Sequence, residues 1–143
     1  MDIVKFLIQN GANINAQDPD GWTCLHHAIY HKNKSMVKTL VNEDANLELS
    51  SLWFGTPLHH ALFDGEHEIF ELLISFGANV NSLNFDGDSL LHCCVNDDEK
   101  LGSAKILLQN GALLTFKNLQ LETPIETAMS NKKLSSMKLM MFC

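Results

Sequence analysis

Apolar residues fall along the chain in short bursts, and the bursts return at a nearly constant interval. VKFLI (4–8), VKTLV (37–41), FELLI (70–74) and AKILL (104–108) each place apolar side chains at i, i+3 and i+4. That is the stripe of a short amphipathic helix. Ahead of the last three bursts, and once more near the end, lies a second recurring segment: TCLHHAI, TPLHHAL, SLLHCCV and TPIETAM. Their first residues, Thr23, Thr56, Ser89 and Thr123, are separated by 33, 33 and 34 positions. A third feature keeps the same step: Gly11-Ala12-Asn13, Asp44-Ala45-Asn46, Gly77-Ala78-Asn79 and Gly111-Ala112-Leu113. Three features holding one period mark a repeat architecture.

One unit predicts its own elements. Thr56 is a favourable N-cap, and Pro57 behind it needs no backbone donor, so a helix starts there. Leu58, Ala61 and Leu62 form its apolar stripe, and small Ala61 admits a close neighbour. Gly65 closes that helix. A second runs from His67 to Ser75, with Ile69, Leu72 and Leu73 facing inward, and Gly77 supplies a left-handed C-terminal turn. Ser82 to Asp88 then reads as a hairpin-like loop with Asp86-Gly87 at its turn. Neither helix buries its stripe alone, whereas stacked pairs do, which is the logic of a solenoid.

At these residues the sequence resembles the ankyrin repeat family, with its DGxTPLHxAA, IVxxLL and GAxVNxxD pattern. The match is best at 54–86, good at 20–53, looser at 87–120 and degraded at 121–143, while 1–19 supplies only the second half of a repeat. The resemblance implies one array over 1–143, an all-α ankyrin-repeat solenoid of stacked helix-turn-helix pairs with loops projecting as fingers. Departures have expected consequences. Cys24 and Leu90 stand at the proline position, and Asp44 replaces a helix-closing glycine, weakening that turn. An extra residue within NDDEKLGS makes the third inter-helix loop irregular, and Glu126 occupies the histidine position. The half repeat at the start and the apolar Leu139-Met140-Met141-Phe142-Cys143 tail suggest ends that are cut or covered, as in a segment of a longer array.

Bulk properties narrow the function. The 143 residues carry 17 acidic and 10 basic side chains, a net charge of −7, which disfavours direct nucleic-acid binding. The apolar runs are too short to span a bilayer, and MDIVKFLIQNGAN reads as helix rather than a secretory leader. Four cysteines, Cys24, Cys93, Cys94 and Cys143, lack CxxC or framework spacing. A reducing compartment is expected, the cytoplasm or alternatively the nucleus.

The paired histidines are the candidate chemistry. His26, His59 and His92 share one repeat position, so stacking sets them roughly 8–10 Å apart, too far to share one ion. Each follows its capping Thr or Ser by three residues, and scaffolding through hydrogen bonds is the expected role. His92-Cys93-Cys94 point in different directions and bring no oxyanion element, and Cys94 sits at a core alanine position. No phosphate-loop, dinucleotide or zinc-protease motif occurs. No enzyme activity, cofactor, metal or small-molecule substrate is expected. Binding of a metal through His and Cys stands as a remote alternative.

The resemblance implies protein binding through finger tips and the inner helices. Fingers carry Pro19, Asp20 and Trp22, then Leu52, Trp53 and Phe54, then Phe85, Asp86 and Asp88, then Phe116, Leu119 and Leu121. The inner helices present His27, Tyr30, His31, His60, Phe63 and Asp64. Partner contacts are expected at Trp22, His27, Tyr30, Leu52, Trp53, His60, Phe63, Phe85 and Asp88, because exposed aromatics make interface hot spots. The alternative is that Trp53 and Phe54 fold back over a neighbouring finger. Asp18, Asp20, Asp64, Asp86 and Asp88 favour a partner with apolar anchors and basic charge. The family is often hydroxylated at a loop asparagine, and Asn15 and Asn81 are the matching candidates. The expected function is an adaptor or scaffold segment; the alternative is a stand-alone inhibitor of a transcription factor, similar to NF-kappa-B inhibitors.

Overall fold

A computed structural model describes residues 3–142. The chain divides into two compact units, Met1–Ala78 and Asn79–Cys143. The first holds α1 (Ile3–Gln9), α2 (Cys24–Tyr30), α3 (Lys34–Asn42), α4 (Pro57–Phe63) and α5 (His67–Ser75). The second holds α6 (Leu90–Val95), a 3-10 turn (Asp98–Lys100), α7 (Leu101–Gln109), α8 (Pro124–Ser130) and α9 (Leu134–Met141). Every described regular element is helical, apart from isolated bridges Ser51–Gly55 and Leu83–Ser89 in the fingers.

Within each unit the helices pair and then stack. In the first, α2 packs on α3 and on α4, and α4 packs on α5. In the second, α6 packs on α7 and on α8, and α8 packs on α9. Leu25, Ile29, Val37, Leu58, Ala61, Leu62, Ile69 and Leu73 fill the first core; Leu91, Cys94, Val95, Leu107, Ala128 and Met140 belong to the second. Leu72, expected inside, is half-buried, and Phe70 takes the buried position instead. Its ring carries more apolar area, so burying it contributes more.

Helix starts follow the capping residues. The Thr23 hydroxyl accepts from the His26 N–H, and the Thr123 hydroxyl from the Glu126 N–H. Glu126, at the histidine position, closes a capping box by accepting from the backbone N–H of Thr123 at 2.7 Å and its hydroxyl at 2.9 Å. The extra residue of the third unit is absorbed by the 3-10 turn, which Asp97 caps by accepting from Glu99 N–H.

Left-handed turns follow several of the helices, among them α3 and α5. Gly77 has φ +91°, and Asp44, in the same repeat position, takes φ +62° without the freedom of glycine. In the fourth finger Leu121 also takes a left-handed conformation, at φ +63° where the first and third fingers have Gly21 and Gly87. Its side chain is exposed and has little packing to lose. Leu121→Gly should therefore raise the unfolding free energy of the Asn79–Cys143 unit by about 1 kcal/mol, since a left-handed L-residue costs roughly 1–2 kcal/mol. Urea denaturation reads this directly, and a loss of stability would show that the leucine packs favourably.

Candidate functional site

The fingers are built by a device that the sequence also repeats. The Asp18 carboxylate accepts from the backbone N–H groups of Asp20 and Trp22 at 3.0 and 2.9 Å. In the third finger Asn84 Oδ1 does the same for Asp86 and Asp88, and in the fourth Asn118 Oδ1 for Gln120 and Glu122. In the second finger, Ser51 Oγ accepts from Phe54 N–H at 3.2 Å. These four residues keep the same 33, 33 and 34 spacing, a polar signal in the sequence separate from the apolar and histidine motifs. The Trp22 N–H, as the largest influence, helps hold the Asp18 carboxyl below the usual range.

The histidines at the shared position brace these loops. His26 Nδ1 accepts from the Thr23 N–H, so Nε2 carries the proton and donates to the Gly55 carbonyl at 3.2 Å. His92 repeats the pattern, with Nδ1 accepting from the Ser89 N–H and Nε2 donating to the Glu122 carbonyl at 2.9 Å. His59 Nδ1 lies 2.9 Å from the Thr56 hydroxyl. Each bridge ties a helix start to a finger about 30 residues away. Among the described residues, no three His, Cys, Asp or Glu side chains gather as a metal site requires. Burial pushes the Cys93 thiol up to about 12 and Cys94 upward as well, which opposes thiolate formation.

The loop asparagines also reach across repeats. Asn15 Oδ1 accepts from the Asn46 N–H at 2.8 Å, and Asn81 Oδ1 from the Leu113 N–H at 2.8 Å. Both side chains are half-buried and engaged beyond their own turns.

Of the expected contact residues, most of those in the first unit converge around one ring network. Trp22 stands at its centre, 5.0 Å from the rings of His27 and His60, 5.6 Å from Tyr30 and 5.9 Å from Phe54. His60 was expected on the exposed inner face, but it is 0% exposed. Its ring stacks on Phe54 at 4.3 Å and lies 5.9 Å from His26. The reason is that Trp22 and Phe54 close over it from two different fingers. Neither His60 nitrogen has a hydrogen-bond partner; Nε2 is 3.2 Å from Asp64 Oδ2 but out of alignment. Burial, and secondarily His27, lowers the His60 pKa to about 4. The imidazole is neutral at pH 7, so this contact is not an ion pair.

Around the network the surface stays open. Trp53 is 75% exposed and Leu52 56%, so the second fingertip divides: Phe54 folds inward while Leu52 and Trp53 project. Tyr30 and Phe63 are exposed on the inner helices, and His27 lies 3.1 Å from Asp18. Asp20 and Asp64 add carboxylates at the rim. In the second unit Phe85 is exposed on its fingertip, while half-buried Asp88 accepts from Asn118 Nδ2 at 2.9 Å. Phe116 is half-buried, and Leu119 and Leu121 are exposed.

Comparison with known proteins agrees with this architecture. A family model described as ankyrin repeats (three copies) matches residues 1–84 and again 43–118. No curated protein matches the chain significantly. The period, the paired helices, the histidine braces and the family match together make this chain a member of the ankyrin repeat family.

Proposed function

We propose that the chain is a non-enzymatic interaction module, serving as an adaptor or scaffold segment. In this reading it binds a protein segment with apolar anchors and basic charge on the fingers and inner helices of the Met1–Ala78 unit. Ankyrin repeats are generally protein–protein interaction modules, which supports the class of function. The observation that carries the location is the exposed set Trp53, Leu52, Tyr30 and Phe63 around a packed ring network, bordered by Asp18, Asp20 and Asp64. Tyr30 and Phe63, held against Trp22 and Phe54, give contact area with little side-chain ordering left to do, and Trp53 adds an exposed ring beside them. The carboxylates would steer and orient a basic partner more than they would tighten it.

Trp53→Ala is the discriminating variant, because its ring is mostly in solvent. Its unfolding free energy should stay within about 0.5 kcal/mol of the parent, as for ordinary surface changes. Affinity capture from source cells with the parent and the variant as baits should recover a partner that the variant retains at least about ten-fold less well, the scale of a 1.4 kcal/mol contact. Equal recovery by both baits would remove this fingertip from the interface.

A further inference from the structure

The cover over His60 is made of two side chains that the loop backbones do not need. Trp22 of the first finger meets the imidazole edge-on at 5.0 Å, and Phe54 of the second stacks on it at 4.3 Å. The fingers themselves are joined separately. Leu52 N–H donates to the Asp20 carbonyl at 3.0 Å, and Gln17 Nε2 to the Ser50 carbonyl at 3.1 Å. Both rings can therefore swing out without parting the loops.

A neutral imidazole suits this enclosure, whereas a protonated one carries two N–H donors that the closed network leaves bare. The charged groups around it give little relief. α4 packs on α2 and α5. From α2, His26 at 5.9 Å and His27 become like charges when protonated, and Asp18 is engaged by His27 at 3.1 Å. Asp64 is out of line with Nε2, and burial raises its carboxyl, so acid neutralises it early. Lys32 beside it is held by Glu66 at 2.7 Å, and on α5 His67, Glu68 and Glu71 are exposed. Residues 49–56 of the second finger carry no charge.

We propose that Trp22 and Phe54 form an acid-released latch, swinging away when His60 takes a proton while the helices beneath stay packed. Leu25, Ile29, Leu58, Ala61 and Leu62 remain buried in that state, because none of them titrates. Each pH unit below 6.5 favours the uncovered, protonated form about ten-fold, until the covered ring itself protonates at about 4. The role of the latch in binding rests on the interface proposed above. Tyr30 and Phe63 lean on Trp22 and Phe54, so release dissolves the preorganised face and weakens partner binding as pH falls.

Trp53→Phe leaves Trp22 as the one tryptophan of the chain. Acrylamide quenching of its emission is followed from neutrality down to about pH 4, beside helicity by circular dichroism. Access to Trp22 should rise with a midpoint at least about half a pH unit above any loss of helicity. His60→Phe in the same background should abolish that rise. The Cε1 NMR signal of His60 in the otherwise unaltered, carbon-labelled chain should titrate at the same midpoint, which decides the matter even if His60→Phe misfolds. Uncovering of Trp22 only as helicity is lost, a rise that persists in His60→Phe, or a His60 that titrates while Trp22 stays covered overturns the latch. No partner enters these measurements. Failure of the Trp53→Ala capture would leave their outcome standing, and an immobile Trp22 would leave the interface reading standing.

Discussion

Replacing Trp22 by alanine should destabilise the Met1–Ala78 unit by about 2–3 kcal/mol, measured by urea denaturation. A fully buried Trp→Ala costs about 3–5 kcal/mol, and Trp22 is half-buried, which sets the lower range. Its ring touches five others, those of His26, His27, Tyr30, Phe54 and His60. Aromatic pairs add roughly 0.5–1.5 kcal/mol beyond area burial, so several are lost together. From position alone, Trp22 and Trp53 look like equivalent contact residues whose truncation leaves the helices intact. The structure separates them. Trp22 closes over His60 between two fingers, whereas Trp53 stands outside the network, so only the second is a clean probe of binding. A Trp22→Ala variant within 0.5 kcal/mol of the parent would mean that the network holds without its central ring.

Acidification is the second large effect. Burial is the main cause that lowers the pKa of both His26 and His60, from an ordinary 6.5 to about 4. In the unfolded chain both rings protonate as pH falls below about 6.5, whereas in the folded unit they resist until about 4. The stabilisation they contribute is therefore complete above pH 6.5 and is lost progressively as pH falls toward 4. Each shift corresponds to about 3 kcal/mol at most across that window, at 1.36 kcal/mol per pH unit. Carboxylates held below their usual range, Asp18, Glu68, Asp97 and Glu126, contribute losses only at lower pH. Denaturant midpoints should thus decline steadily from pH 7 to 4.5, and His60→Phe, which keeps a ring on Phe54, should roughly halve the slope. A parent whose stability is flat across this range would contradict the neutral, buried state of both imidazoles.

What could be read beforehand was whatever one helix or one turn decides. The limits of α4 and α5 followed from Thr56-Pro57, Gly65 and Gly77, and the extra residue near Asp97 marked the one irregular connection. The brace formed by His26 was legible from its distance to Thr23, although its far partner, the Gly55 carbonyl, was not. His60 was misplaced because the rings that cover it, Trp22 and Phe54, arrive from separate fingers and no helical period encodes their meeting. The reach of Asn15 to Asn46 N–H was hidden for the same reason. By contrast, the clamps Asp18, Ser51, Asn84 and Asn118 were available from the 33-residue step and needed only a search among polar positions.

Those clamps carry a consequence for association. A loop that must become rigid on docking pays conformational entropy at that moment, of order 1–2 kcal/mol per residue fixed. Here each fingertip is already cinched by a side-chain oxygen on its own backbone amides. Complex formation at these tips should approach lock-and-key behaviour, with little backbone adjustment and with affinity differences among variants expressed in dissociation rates.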